Sequence, residues 1–191
     1  ARGEKRLWVG GESYRYDRSG FLITSLDLPA NSEVLVASSG EPCVGLVLKL
    51  DVPMLAEVIA KGGMPATRSR TIDKGVGIGT MTPALDEALN RLVALLDEPE
   101  AIAVLAPLIL REVHYRLLKS DQAARLRQIT AVDGQGYRIA KAIDWLKLNY
   151  TIPLRIEELA ARVQMSSPTF HHHFRQLTAM SPLQYQKWLR L

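Results

Sequence analysis

Cysteine is almost absent from this 191-residue chain: Cys43 stands alone, so no internal disulfide can form. Such sparse cysteine fits a reducing compartment, and the expected location is the cytoplasm. Set in an apolar run, Cys43 reads as a buried structural thiol rather than a reactive one. Long hydrophobic runs are missing too. None approaches the roughly 20 apolar residues that a bilayer-spanning helix needs, so no membrane segment is expected. The start, Ala1-Arg2-Gly3-Glu4-Lys5-Arg6, has charge but no apolar stretch behind it, unlike a secretory leader. No histidine precedes His114. Nucleophile-elbow, dinucleotide and metal-hydrolase patterns are also lacking. Asp97-Glu98 and Glu157-Glu158 are adjacent carboxylates rather than a facing acid and base pair, and read as helix-end or surface charge. The expectation is a protein that is not an enzyme, with no cofactor and no metal.

What is present is a globular composition, 47% hydrophobic, with a net charge of +4. The charge is unevenly placed. Tyr137 to Leu191 carries eight basic residues against three acidic ones, whereas Ala1 to Gly136 carries sixteen against seventeen. The excess positive charge therefore lies wholly in the C-terminal segment, where contacts to phosphate would place it.

The first fifty residues read as β structure. Tyr14 and Tyr16 alternate with charged neighbours, Gly20 to Thr24 follows a turn signal at Asp17-Arg18-Ser19, and Glu33 to Ala37 and Cys43 to Leu50 are rich in branched residues. Four or five strands at this spacing predict a meander or part of a barrel-like sandwich, which needs a partner layer. Trp8, Tyr14, Tyr16 and Phe21 are candidates for lining an effector pocket or, more simply, for core. After Pro53 the period changes. A short helix runs from Pro53 to Ala60 and stops at Gly62-Gly63. Residues 61–81 read as a loop, in which Gly75-Val76-Gly77-Ile78-Gly79 lacks the setting of a phosphate-binding loop and is taken as a turn or strand end.

Thr82-Pro83 opens a helix with a stripe of Leu85, Leu89, Leu92 and Leu96. Pro99 breaks it. A second helix to about Lys119 is expected to bury Leu105, Leu108, Ile109, Val113 and Leu117, with Pro107 kinking or dividing it. The two form an antiparallel pair that packs on the sheet or on a second subunit. Ser120 to Gly136 reads as the linker, and a helix follows from about Tyr137 to Asn149 with Ile139, Ile143 and Leu146 on one face. The domain boundary is placed near residue 133, giving units 1–132 and 133–191.

Residues 154–177 carry the functional signal. Ile156, Leu159, Ala160 and Val163 form the inner face of one short helix, with Ala160 small where a second helix must cross closely. Met165-Ser166 makes a turn, Ser166 or Ser167 is a good N-cap, and Pro168 is tolerated in the first turn. Phe170, His173, Phe174 and Leu177 then recur at i, i+3, i+4, i+7 as an inner face. Pro168, His171, His172 and Arg175 are left outside, where a helix-turn-helix puts the side chains that reach base edges, and the helix N-terminus favours a phosphate. Consecutive residues of a helix point about 100° apart, so His171, His172 and His173 cannot jointly chelate one ion. Trp145 and Trp188 read as packing residues of this unit.

Leu154 to Ala160 followed by Met165 to Phe174 resembles the first helix-turn-helix of the AraC family of transcription regulators. Ser181 to Leu191 resembles that family's connecting helix. Leu92 to Pro99 and Leu105 to Glu112 resemble the N-terminal domain of one AraC subgroup. The resemblance implies an α+β chain: a partial cupin-like β domain for effector binding or dimerisation, an antiparallel helix pair, and a C-terminal all-α helix-turn-helix unit. Metal-dependent cupin enzymes use a histidine cluster, which the N-terminal half lacks. The chain stops at Leu191, and the second helix-turn-helix of the family is absent from it, which suggests a fragment. The implied function is sequence-specific DNA-binding transcription regulation, controlled by a small ligand or by dimerisation. The implied partner is double-stranded DNA in its major groove; an effector, a second copy and RNA polymerase are further partners the family allows, and no membrane is among them. Carried over residue by residue, Pro168, His171 and His172 fall at base-reading positions, with Ser167 and Thr169 near the DNA backbone and Thr169 on a phosphate. The alternative is a small-molecule sensor whose helix-turn-helix serves protein contacts.

Overall fold

A computed structural model of the chain describes residues 3–9, 12–24, 28, 30–37, 40, 42–62, 75–130 and 135–190. It is α+β, as expected, with five strands and eight α-helices among the described residues. Strands β1 (Glu4–Val9) and β2 (Glu12–Tyr16) form an antiparallel pair with Leu7 opposite Tyr14, and β4 (Ala30–Val36) pairs with the other edge of β1. A second, two-stranded sheet joins β3 (Gly20–Thr24) to β5 (Val76–Thr80), with Leu22 opposite Ile78. β5 runs through the glycine-rich stretch read as a turn or strand end. Its glycines do not break it, because neighbouring groups fill the space that side chains would occupy.

The apolar run from Cys43 to Leu50, expected as a strand, forms only an isolated bridge at Val44. Val44, Leu46 and Val47 are exposed there, so among the described residues no neighbouring strand rewards their β propensity beyond that bridge. Cys43 is half-buried, not sealed in a core. Trp8 is exposed, whereas Tyr14 and Tyr16 are half-buried, and Phe21 packs against the first core.

Helix α1 (Val52–Lys61) begins where Asp51 Oδ1 accepts the Met54 N–H at 2.9 Å, and ends where the Gly62 N–H reaches the Val58 carbonyl at 2.9 Å. Thr82 caps α2 (Pro83–Ala94) in the same way, its hydroxyl accepting the Leu85 N–H at 3.3 Å. A 3₁₀ turn over Leu95–Asp97 then changes the stripe: Leu95 is buried and Leu96 is exposed. The tighter winding rotates the last turn, which brings Leu95 inward where the helical period alone selects Leu96.

Helix α3 (Pro99–Leu118) is undivided, with Pro107 inside it. The Ala103 carbonyl freed by Pro107 belongs to an exposed residue, within reach of water. Only the second half of α3 buries its apolar face, through Val113, Leu117 and Leu118. Leu105 and Leu108, expected inside, are exposed. The start of α3 does lie beside the end of α2, where Ile102 and Ala106 line a cavity with Leu92 and Leu95, but the side that carries Leu105 and Leu108 stays exposed. Arg91 of α2 and Glu112 of α3 pair across the connection, consistent with antiparallel helices.

The expected linker contains helix α4 (Ala123–Thr130), whose Leu126 is fully buried. Leu126 and Ile129 join Leu55, Leu85, Val113 and Leu117 in the first core, where each buried leucine contributes about 1.5–3 kcal/mol. The Thr- and Arg-rich part of the loop after Gly62, and the boundary near residue 133, lie outside the described residues. No helix among the described residues is long and apolar enough to cross a membrane.

Candidate nucleic-acid interface

A second core is built from residues 139–185. It draws on α5 (Gln135–Leu148), α6 (Ile156–Arg162), α7 (Ser167–Thr178) and α8 (Pro182–Leu189). Ile139, Ile143 and Leu146 recur at helical spacing on α5 and are fully or almost fully buried. Leu159 and Ala160 bring α6 against them, and Phe170, Phe174 and Leu177 bring α7. Phe174 lies between two rings, 5.4 Å from Phe170 and 5.7 Å from Tyr185 by centroid. Ala160 is buried, so the crossing of α6 and α7 depends on its small size.

The turn between α6 and α7 closes on a residue that sequence patterns do not single out. Gln164 has φ 56°. Its N–H donates to the Ala161 carbonyl at 2.9 Å and the Met165 N–H to the Ala160 carbonyl at 2.9 Å. These are the paired bonds of a Schellman helix end, which normally places glycine at the left-handed position. Arg138 of α5 holds the turn from outside, its guanidinium donating to the Gln164 carbonyl at 2.9 Å. Gln164→Gly is therefore expected to stabilise the protein by about 0.5–1 kcal/mol, removing the left-handed strain of a residue with a Cβ. A rise in the thermal unfolding midpoint checks this; a fall would show that the Gln164 side chain contributes more than its backbone costs.

Helix α8 clamps the connection between α5 and α6. Gln186, buried, donates its amide to the carbonyls of Tyr150 (3.1 Å) and Ile152 (2.6 Å), and Arg190 Nε donates to Tyr150 at 2.7 Å. Ser181 and Gln184 form a reciprocal capping box that starts α8. No local signal in the sequence predicts the clamp, because its partners are backbone groups more than thirty positions away.

Six candidate residues fall on α7. Ser167 is half-buried, while Pro168, Thr169, His171, His172 and Arg175 are exposed. Pro168, His171, His172 and Arg175 recur at i, i+3, i+4, i+7 and so share one outward face. Ser166 is the N-cap but its hydroxyl does not cap the helix; it donates instead to Thr169 Oγ1 at 2.8 Å. His173 is half-buried rather than fully sealed. Burial pulls its imidazole below the usual histidine range, against a side-chain hydrogen bond to Gln176 that favours the charged form. No group of three or more metal-ligating side chains occurs among the described residues.

Two basic side chains of α5 and α6 lie over aromatic rings of α5. Arg162 lies over Trp145 at 5.2 Å and Lys141 over Tyr137 at 4.7 Å. Trp145 is half-buried against the second core, as expected, whereas Trp188 is partly exposed and tilts against Tyr185.

No curated protein and no solved structure matches the chain. A family model, that of the AraC-type transcriptional regulator N-terminus, matches residues 1–125. That match spans both sheets, α1, α2 and α3 and the start of α4, ending before the helices that carry the second core. Strands, helix pair and family match agree, and the chain belongs to the AraC-type transcriptional regulators.

Proposed function

We propose that the protein regulates transcription by reading double-stranded DNA, with α6 and α7 as a helix-turn-helix and α7 as the helix that enters the major groove. One observation carries the reading. α7 seals Phe170, Phe174 and Leu177 into the second core while Pro168, His171, His172 and Arg175 form its continuous outer face. A helix held by one side and polar on the other is what groove insertion requires. Ser167 and Thr169 sit in its first turn, where N–H groups and the helix dipole favour a phosphate. The excess positive charge of residues 137–191 supports the same contact.

In this reading residues 1–132 form the regulatory unit and 133–191 the DNA-binding unit, consistent with two separate cores. Control passes through a small ligand or a second copy of the chain. The exposed Ile102, Val104, Leu105 and Leu108 at the start of α3 favour the second copy, since association would remove that apolar surface from water.

A salt titration of binding to mixed-sequence duplex DNA tests the proposal. Affinity is expected to fall steeply with salt as phosphate contacts release counterions. Arg175→Ala, which removes one positive charge from the interface, is expected to weaken binding about threefold to tenfold and to lower the salt slope by about 1. Binding that is absent, or indifferent to salt, would sink the proposal and favour a helix-turn-helix used for protein contacts.

A further inference from the structure

The glycine-rich strand β5 touches three different elements through the positions where it lacks side chains. Gly75, Gly77 and Gly79 alternate along the chain and so turn to one side of it. A methyl group at Gly79 would collide with the Phe21 ring of β3. At Gly77 it would stand 2.5 Å from Gln122 Oε1 and 2.7 Å from Arg125 Nε. At Gly75 it would stand 2.5 Å from the Leu177 carbonyl oxygen of α7 and 3.1 Å from the Leu28 side chain. Gly75 has no left-handed φ, so its small size rather than its backbone freedom is what this position uses.

The other end of β5 is tied to the first core. Gln122 donates its amide to the Ile78 carbonyl at 2.8 Å, and Asp121 accepts the Thr80 N–H at 3.1 Å and its hydroxyl at 3.0 Å. Both residues lie in the turn between α3 and α4. A continuous set of contacts therefore runs from the helices of the first core, along β5, to the last turn of α7. Leu28 adds an independent contact, packing against the second core from the N-terminal region. Leu177 belongs to the same helical turn as Arg175, one of the residues on the reading face.

We propose that Gly75 and Leu28 form a seat for the C-terminal end of α7, so that the N-terminal unit sets the orientation of the reading helix through β5. The proposal rests on α7 being that reading helix. The seat touches the carbonyl end and leaves Pro168, His171, His172 and Arg175 uncovered. It acts by positioning, not by blocking. A displacement of the α3–α4 turn, whether by a ligand or by a second copy, would pass along β5 to α7.

Amide-resolved hydrogen exchange on the full chain tests the seat without DNA. The reporters are the Ala179 N–H, which donates to Arg175, and the Met180 N–H, which donates to the Thr178 hydroxyl. Gly75→Ala and, separately, Leu28→Ala are expected to speed exchange at both by about tenfold. The Leu126 amide of the first core should stay unchanged. Gly136→Ala, where nothing lies within 4 Å, serves as the control and should leave the reporters as in the wild type. If Gly75→Ala unfolds the chain, Leu28→Ala decides alone. Wild-type exchange at Ala179 and Met180 in the variant that folds would overturn the seat. On duplex DNA, Gly75→Ala should change affinity about fivefold or more while keeping the wild-type salt slope, because orientation changes and the number of phosphate contacts does not. A wild-type chain that binds no DNA would refute the reading of α7, while the exchange result would still report on the seat itself.

Discussion

Phe174→Ala is expected to unfold the C-terminal helices at room temperature. Phe174 is fully buried, and its ring joins Phe170 on its own helix to Tyr185 on α8. Truncation removes both ring contacts and leaves a cavity that rigid neighbours cannot fill, a change that costs about 3–5 kcal/mol for a buried phenylalanine. A helical unit of some sixty residues has only about 3–9 kcal/mol of stability in total. Trp145 and Trp188 both lie in this region, so urea unfolding followed by tryptophan fluorescence reports on it directly. The transition should move to much lower urea, and duplex DNA binding should disappear with it. Phe174→Leu, which keeps much of the volume, should recover most of the loss. A midpoint that barely moves in Phe174→Ala would mean that the second core collapses around the gap, and that this ring is not its keystone.

His114→Ala is expected to destabilise the N-terminal unit by about 2–4 kcal/mol, from a cavity and two lost hydrogen bonds. His114 is fully buried on α3. Its Nδ1 faces the Leu110 carbonyl at 2.6 Å and so carries the proton, while its Nε2 accepts the Asp51 N–H at 3.0 Å. The neutral ring with hydrogen on Nδ1 is the form that satisfies both partners. Asp51 is the residue that caps α1, so the contact ties the start of α1 to the middle of α3. The measurement is thermal or urea unfolding of the variant, with exchange of the Met54 and Leu55 amides as the local readout, since both donate to Asp51. His114→Asn, with an acceptor but a shorter reach, should not restore them. Wild-type protection of these amides in His114→Ala would show that the cap stands without the histidine.

His114 also shows how chemistry and position separate. Its lone occurrence before the C-terminal segment was visible, and with it the lack of a histidine cluster in the N-terminal half. Its role was not. The partner backbone lies 63 positions away, and no local pattern brings the two together.

The face of α7 was far more legible. Phe170, Phe174 and Leu177 on one side, and Pro168, His171, His172 and Arg175 on the other, follow from a period of 3.6 residues once the helix is granted. The turn ahead of it was half legible: Met165 and Ser166 marked its place, but Gln164 takes the left-handed conformation where glycine would have announced it. Residues 120–136 hide a helix for a related reason. Gly134 and Gly136 mark a break, while Leu126 and Ile129 just before it have enough helical spacing to form α4 and a core to enter.

Periodicity, caps and breakers determined from within each segment that this chain would make strands first and helices after, that helices would start near Pro53 and at Thr82-Pro83, and which side of α7 would face out. Those properties depend on residues within a turn or two of one another. Tertiary structure alone decided that Leu105 and Leu108 stay exposed, that residues 43–50 gain only an isolated bridge among the described residues, and that Gly75 meets Leu177. In each of those cases the deciding atom belongs to a segment distant in the chain. Burial is a relation between two surfaces, and a sequence read along one segment specifies only one of them.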